Sequence, residues 1–447
     1  FYLGGTNEHG ETKYNELSYE ILDVYDGMGI YNPKIQLKIN ENTPEKLLDK
    51  ACDMIRRGHS SIVFCCEPGF MRAITAYGAT EAEAREADIR GCYETGVRAN
   101  EVSSTTGYVN AAKAVEYVFS DGYDYVLAGD LGLKTGDLAG LKTFDDFYYA
   151  VIRQWRALIE KAISVSRSYE RYFSYVNPSL TYTATIEGAL EKGRDAYQNG
   201  VKFNNSSVLN CGFATLVDSV VAVKKLVYDD KIVTLEVLKT ALDANWEGYE
   251  DLRRLAGSAP KYGNGDYEAD GIADALAAYF ANSVNGRENA RGGVYKAIMH
   301  TAMMFKWEGE KTAATPDGRK RGEEIGKNGS PSIGADREGV TALILSALGT
   351  RPYTYCESYG LDAWIHPSAC AGEDGLTVMK GLLKTYMRGG GMSIQFNVLD
   401  TGTLRDAQKN PEKYRNLQVR VCGWNVRWNN LPKDEQDAYI RRAEING

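Results

Sequence analysis

Three stretches of the sequence predict an α/β fold. Residues 33–39 (Pro-Lys-Ile-Gln-Leu-Lys-Ile) alternate apolar and polar side chains, the period of a strand with one apolar face. Residues 43–57 are amphipathic at helical spacing, opened by Thr43-Pro44 and closed by Gly58. Residues 61–66 (Ser-Ile-Val-Phe-Cys-Cys) are an unbroken apolar run, as in a strand buried on both faces. Strand, helix and strand at this spacing build a right-handed crossover between parallel strands. Further βα units follow, uninterrupted by any repeat, low-complexity tract or linker, which selects α/β over other classes.

The elements follow in order. After a Gly-rich opening, residues 15–22 form an amphipathic helical piece. In the next helix Thr43 is the expected N-cap, with Pro44 in the first turn. Residues 81–88 are helical and lead into a loop at 89–96 (Ile-Arg-Gly-Cys-Tyr-Glu-Thr-Gly). Residues 108–119 read as a helix closed by Asp121-Gly122, and 144–172 as a long helix with apolar residues at helical spacing. Asn204-Asn205-Ser-Ser reads as a polar turn. Residues 212–228 and 235–245 read as helices, and 271–305 as mostly helical with a break at Asn285-Gly286. Residues 315–319 are a turn, and 339–348 and 376–387 are helices. Gly389-Gly-Gly391 precedes an alternating strand at 392–398. A helix at 403–409, a turn at 411–414 and a strand entering Gly423 follow, and Pro432 opens the last helix.

Composition narrows the function. With 43% apolar residues the chain has ample core for a globular protein. A net charge of -8 and the lack of a basic block leave nucleic-acid binding without support. No apolar run reaches bilayer length and no signal peptide is visible. The eight cysteines show no Cys-x-x-Cys and no zinc spacing, so they read as reduced thiols in a cytoplasmic setting, most of them small core residues. His9, His59, His300 and His366 fall in no ligand pattern, so no metal is expected.

Two motifs carry chemistry. In residues 416–428 (Asn-Leu-Gln-Val-Arg-Val-Cys-Gly-Trp-Asn-Val-Arg-Trp) a short alternating strand runs into Gly423. Taken alone, such a glycine marks a bend or a close backbone approach. In Gly91-Cys92-Tyr93-Glu94, an extended loop would turn Cys92 and Glu94 to one side and Tyr93 to the other. A thiol beside a carboxylate suits hydrogen abstraction coupled to proton transfer. In isolation the same four residues describe a surface loop with a buried Cys and a solvated Glu.

Together the two motifs change that balance. Arg-Val-x-Gly-Trp near a chain end, followed by Leu-Pro-Lys-Asp-Glu-Gln-Asp and a helix ending Arg-Arg-Ala-Glu, resembles the C-terminal signature of the glycyl radical enzymes, the pyruvate formate-lyase-like superfamily. Gly-Cys-x-Glu resembles the active loop of its lyase and dehydratase branch. The resemblance implies that Gly423 carries a backbone radical, Cys92 a transient thiyl radical, and that Glu94 is the general base. Glycine suits the first role because a radical at Cα must be planar to delocalise into its peptide groups, and a side chain would crowd that plane. Gly423→Ala is therefore expected to fold and be inactive.

The resemblance further implies part of a ten-stranded α/β barrel over residues 1–388 and a glycyl radical domain over 389–447. Its activity would be radical cleavage of a C–O, C–N, C–C or C–S bond in a small polar metabolite. No cofactor would be bound; a separate radical S-adenosylmethionine activase with an iron–sulfur cluster would install the radical, and members are commonly homodimers. Thr105 and Tyr108 follow the cysteine loop and are candidate pocket residues, with a helix cap as their plainer role. The chain opens at Phe1 and matches about the C-terminal half of a typical member, so it reads as a fragment. Two alternatives stay open: a formate acetyltransferase-type enzyme, against which stands the single loop cysteine, since Cys65-Cys66 lies outside the motif; and a non-catalytic or truncated partner subunit. The four-cysteine zinc site of anaerobic ribonucleotide reductases is not present in the sequence.

Overall fold

The alternating run and the apolar run are neighbouring parallel strands, Ile35–Ile39 and Ile62–Cys66, joined by helix Glu45–Arg56. The computed structural model describes residues 1–420 and 423–445. The chain divides into two units, Phe1–Arg98 with Asp336–Gly447, and Ala99–Ala335.

The first unit is built on five strands. Tyr2–Gly4, Ile35–Ile39 and Ile62–Cys66 run parallel, and Ser358–Ile365 runs parallel to Ser393–Val398. Ser393–Val398 meets Ile62–Cys66 antiparallel. Those two strands belong to βα units from opposite ends of the chain, and no single crossover obliges them to run the same way. One face of the sheet is apolar. Ile35, Leu37, Phe64, Leu361, Ala363, Ile394 and Phe396 share a core with helices Glu16–Met28, Glu45–Arg56, Gly339–Gly349 and Gly372–Arg388. The alternate residues, among them Gln36, Lys38, Asp362, Gln395 and Asn397, take the other face and are buried as well. The alternation read from the sequence is therefore real, but its polar face is covered rather than wet.

A smaller core stands behind the C-terminal motif: Leu404 and Ala407 of helix Thr401–Lys409, Tyr439, Ile440 and Ala443 of helix Lys433–Ile445, and Val419 and Trp428.

The second unit carries three parallel strands in the order Tyr295–Met299, Phe203–Cys211, Glu101–Asn110. Around them pack helices Ala112–Phe119, Phe144–Glu170, Phe213–Val223 and Tyr267–Val284, with Trp155 stacked on Phe280. A buried triad ties the strands together: Lys296 and Asn205 both donate to the Glu101 carboxylate, at 2.6 and 2.9 Å.

Four expectations are corrected. Tyr108 and Asn110 belong to strand Glu101–Asn110, and the helix begins only at Ala112. Asn204-Asn205-Ser-Ser is not a turn but part of strand Phe203–Cys211, buried from Asn204 onward; its turn-type side chains bond outside the segment instead, Asn205 to Glu101 and Asn204 to the Ala196 carbonyl at 3.1 Å. The helix across 271–305 ends at Val284, and Tyr295–Met299 is a strand. Thr43 does not cap its helix. Pro44 holds that position, and the Thr43 hydroxyl accepts the Asn40 N–H at 2.9 Å. The α/β class is as expected, and neither unit's sheet closes on itself, as befits part of a barrel.

Candidate active site

Cys92 sits at the tip of a tight hairpin. Asp88–Ile89 pairs antiparallel with Thr95–Gly96, and the Arg90 N–H donates to the Glu94 carbonyl at 2.7 Å. The backbone bends through Arg90–Tyr93, so the turn is not the extended loop expected from the sequence. Glu357 fixes it from outside. Its carbonyl accepts from the Thr95 N–H (2.7 Å) and hydroxyl (2.8 Å), and its carboxylate from Arg90 (3.2 Å). The Glu94 carboxylate folds back over Gly91 and accepts the Tyr93 N–H at 3.0 Å. A Cβ on Gly91 would lie 2.5 Å from that carboxylate, so a larger residue there would displace the Glu94 side chain. Cys92 and Glu94 are half-buried. Tyr93 turns into the protein and is fully buried, donating to Asp362 at 2.8 Å and accepting from Arg420 at 3.1 Å.

Gly423 lies in the turn of a second hairpin, between antiparallel Gln418–Arg420 and Asn425–Arg427. It is buried, with φ +79°, in the left-handed region that favours glycine. A Cβ placed on it would fall far inside 3.0 Å of both the Cβ and the sulfur of Cys92. With a Cα–Cβ bond of about 1.5 Å, the Gly423 Cα is within about 4 Å of that sulfur. The hairpin is pinned to the polar face of the sheet. Asn425 donates to the Ser60 hydroxyl (2.9 Å) and to Gln418 (3.3 Å), and Gln395 donates to the Ser60 carbonyl (2.8 Å). Tyr439 donates to the Arg420 carbonyl from behind. Val421 and Cys422, the end of the predicted strand, lie outside the described residues.

Burial, and next the charge of Glu94, raise the Cys92 pKa above its ordinary value of 9.0, against the opposing pull of Lys34 and Arg420. The sulfur is thus held as a thiol, the form that has a hydrogen atom to give. Lys34, just before strand Ile35–Ile39, donates to the carbonyls of both Cys92 and Gly423, the latter at 3.1 Å. Desolvation, then the Arg420 charge, lower the Lys34 pKa to about 8.

The structure brings Cys92, Glu94 and Gly423 together in the first unit. Thr105 and Tyr108 lie in the second unit, both exposed on strand Glu101–Asn110. Cys65 and Cys66 are buried in a strand, as expected of core residues. The sequence reading passed over Lys34, Asp362 and Asn425. Two of them left a trace there: Lys34 has the strand parity of Gln36 and Lys38, and Asn425 stands two residues after Gly423 in the motif.

The polar face of an α/β sheet is thus covered by a cysteine hairpin, with a left-handed glycine set on the cysteine sulfur. A family model described as "Pyruvate formate lyase-like" matches residues 1–304, and one described as "Glycine radical" matches residues 325–429. The chain belongs to this pyruvate formate-lyase-like, glycyl radical family. It is 34% identical to a trans-4-hydroxy-L-proline dehydratase of Clostridioides difficile, across 99% of this chain and 56% of the relative. It is 30% identical to an isethionate sulfite-lyase of Bilophila wadsworthia, across 99% and 54%. The crystal structure of the Clostridioides difficile hydroxyproline dehydratase superposes with a TM-score of 0.93 at 33% identity, covering 98% of this chain and 56% of that one. The chain spans about half the length of the relatives it matches.

Proposed function

We propose that this chain carries the radical and catalytic residues of a glycyl radical lyase or dehydratase acting on a small polar metabolite. The observation that carries the reading is the seat of the Gly423 Cα on the Cys92 sulfur. A radical S-adenosylmethionine activase removes one hydrogen atom from Gly423. The Gly423 radical then takes the hydrogen of the Cys92 S–H, leaving a thiyl radical. The thiyl takes hydrogen from a substrate carbon that bears a hydroxyl, and Glu94 takes the hydroxyl proton. The resulting ketyl radical anion expels the leaving group from the neighbouring carbon. In a dehydration this is hydroxide, which leaves as water with the proton returned from Glu94. The product radical takes hydrogen back from Cys92, and the thiyl retakes hydrogen from Gly423. No electron is gained or lost overall.

Likeness to a hydroxyproline dehydratase and to sulfite-lyases along the whole chain supports cleavage beside the abstracted hydrogen, with a C–O bond the first to test. The test is anaerobic activation of the full-length protein, followed by electron paramagnetic resonance and a search for metabolites consumed. A doublet signal, with water-eliminating turnover lost in Cys92→Ser and cut about 100- to 10,000-fold in Glu94→Gln while the signal persists, is the expected result. Full turnover by Glu94→Gln removes Glu94 from the chemistry. Absence of a signal removes the radical altogether, and formate release from pyruvate points to acyl transfer instead.

A further inference from the structure

We propose that Lys34 is a positioning residue for this site: its ammonium bridges the carbonyls of Cys92 and Gly423, holding the sulfur on the glycine Cα and polarising the carbonyl into which the Gly423 radical spreads. The inference rests on the radical reading above and assigns a role to a residue outside both motifs.

The geometry is specific. Lys34 Nζ donates to the main chain of two hairpins far apart in sequence, to Gly423 at 3.1 Å and more closely to Cys92. An ammonium has three donors and no acceptor, so one lysine can hold two carbonyls that would otherwise present like dipoles to each other. Its place is built rather than accidental. The aliphatic stem leaves the sheet beside strand Ile35–Ile39, and Nζ lies 5.5 Å from the ring centre of Tyr93, the residue that follows Cys92. Tyr93 is itself fixed by Asp362 and Arg420.

Two consequences follow. Hydrogen transfer between Gly423 and Cys92 depends steeply on their separation, and Lys34 makes a hydrogen-bonded bridge between the two loops that set it. A planar glycyl radical draws on its amide nitrogen as donor and its carbonyl as acceptor. A cationic donor on that carbonyl oxygen favours the charge-separated form and so the resting radical.

The test separates positioning from mere folding. A Gly423 radical retains one α-hydrogen, which splits its resonance into a doublet. In heavy water each round trip through Cys92 returns deuterium from the exchanged thiol, so the doublet collapses at the rate of the round trip. That rate is measured per spin and is insensitive to how much protein is folded. With activated full-length protein, Lys34→Met is expected to slow the collapse at least about tenfold, and Lys34→Arg to restore it to within a few-fold, because a charged donor is lost in one and kept in the other. An unchanged rate in Lys34→Met overturns the role of Lys34 and leaves the radical reading intact. No doublet in the wild type overturns both. A measurement without any variant guards against misfolding. Lys34 Nζ lies 3.1 Å from the Gly423 carbonyl oxygen, so protein labelled with heavy-nitrogen lysine should show a hyperfine coupling from nitrogen to the Gly423 spin. Its presence supports the bridge, and its absence overturns it.

Discussion

Gly423 is constrained twice. Planarity of a radical centre was the reason for glycine available from the sequence; the φ of +79° and the collision of any Cβ with Cys92 are a second reason, supplied by the neighbour. Gly423→Ala therefore does more than abolish the signal. A left-handed alanine costs about 1–2 kcal/mol, and the hairpin or the cysteine loop must also shift. The expected outcome is no radical and a lowered melting temperature, read by calorimetry; unchanged stability would show that the two loops do not meet as described. Cys92 gives a second prediction. Glu94 helps raise its pKa, so removing that charge in Glu94→Gln lowers it. Since the thiolate is the species that alkylates, the midpoint of Cys92 alkylation against pH, followed by peptide mass spectrometry in the unactivated protein, should move to lower pH in the variant. The motif residues were legible in the sequence because the resemblance to the family rests on them. Lys34, Asp362 and Asn425 were not, because a lysine, an aspartate and an asparagine are ordinary on a strand or turn until something is packed on that face.

Among elements, the hairpins and the parallel strands differ in how they are held. Strands in the first unit follow from apolar alternation and apolar runs. Strands Glu101–Asn110 and Phe203–Cys211 are instead rich in Ser, Thr and Asn, the first partly and the second almost wholly buried, and Glu101 is tied to Asn205 across the sheet. That is why one was missed and the other read as a turn: local residue preference pointed to loops, and only pairing with neighbours reverses it. The Lys296–Glu101 pair, both side chains almost wholly buried, makes this testable. Lys296→Met leaves a buried carboxylate without its cation and should cost about 3–5 kcal/mol by denaturant unfolding, whereas Lys296→Met with Glu101→Leu should recover most of that loss. Equal destabilisation by the single and double variants would count against the pair as a structural tie.

At the scale of the molecule, the second unit also carries a buried carboxyl whose cost depends on pH. Asp218 accepts from the Tyr262 N–H at 2.9 Å and the Ser332 hydroxyl at 2.8 Å. Desolvation raises its pKa from 3.8 to about 6. The folded state thus holds this proton more tightly than the unfolded chain does. The contribution is complete below the unfolded pKa of about 3.9, is lost as pH rises to about 6, and stays lost above it. Asp218→Asn should flatten the stability profile between about pH 4 and pH 6 without loss at pH 7; an unaltered slope would mean the carboxyl ionises as freely folded as unfolded.

By itself the sequence determined the α/β class, the helices of clear 3.6-residue period, and the glycine and cysteine motifs, because each is written in local spacing or in residues on which the resemblance to the family rests. Tertiary structure alone decided that the polar face of the first sheet is an interior, that buried amides form strands in the second unit, and that the glycine and the sulfur touch. All three depend on which distant segment lies opposite, and a polar side chain declares nothing about its partner until the fold has removed the water between them.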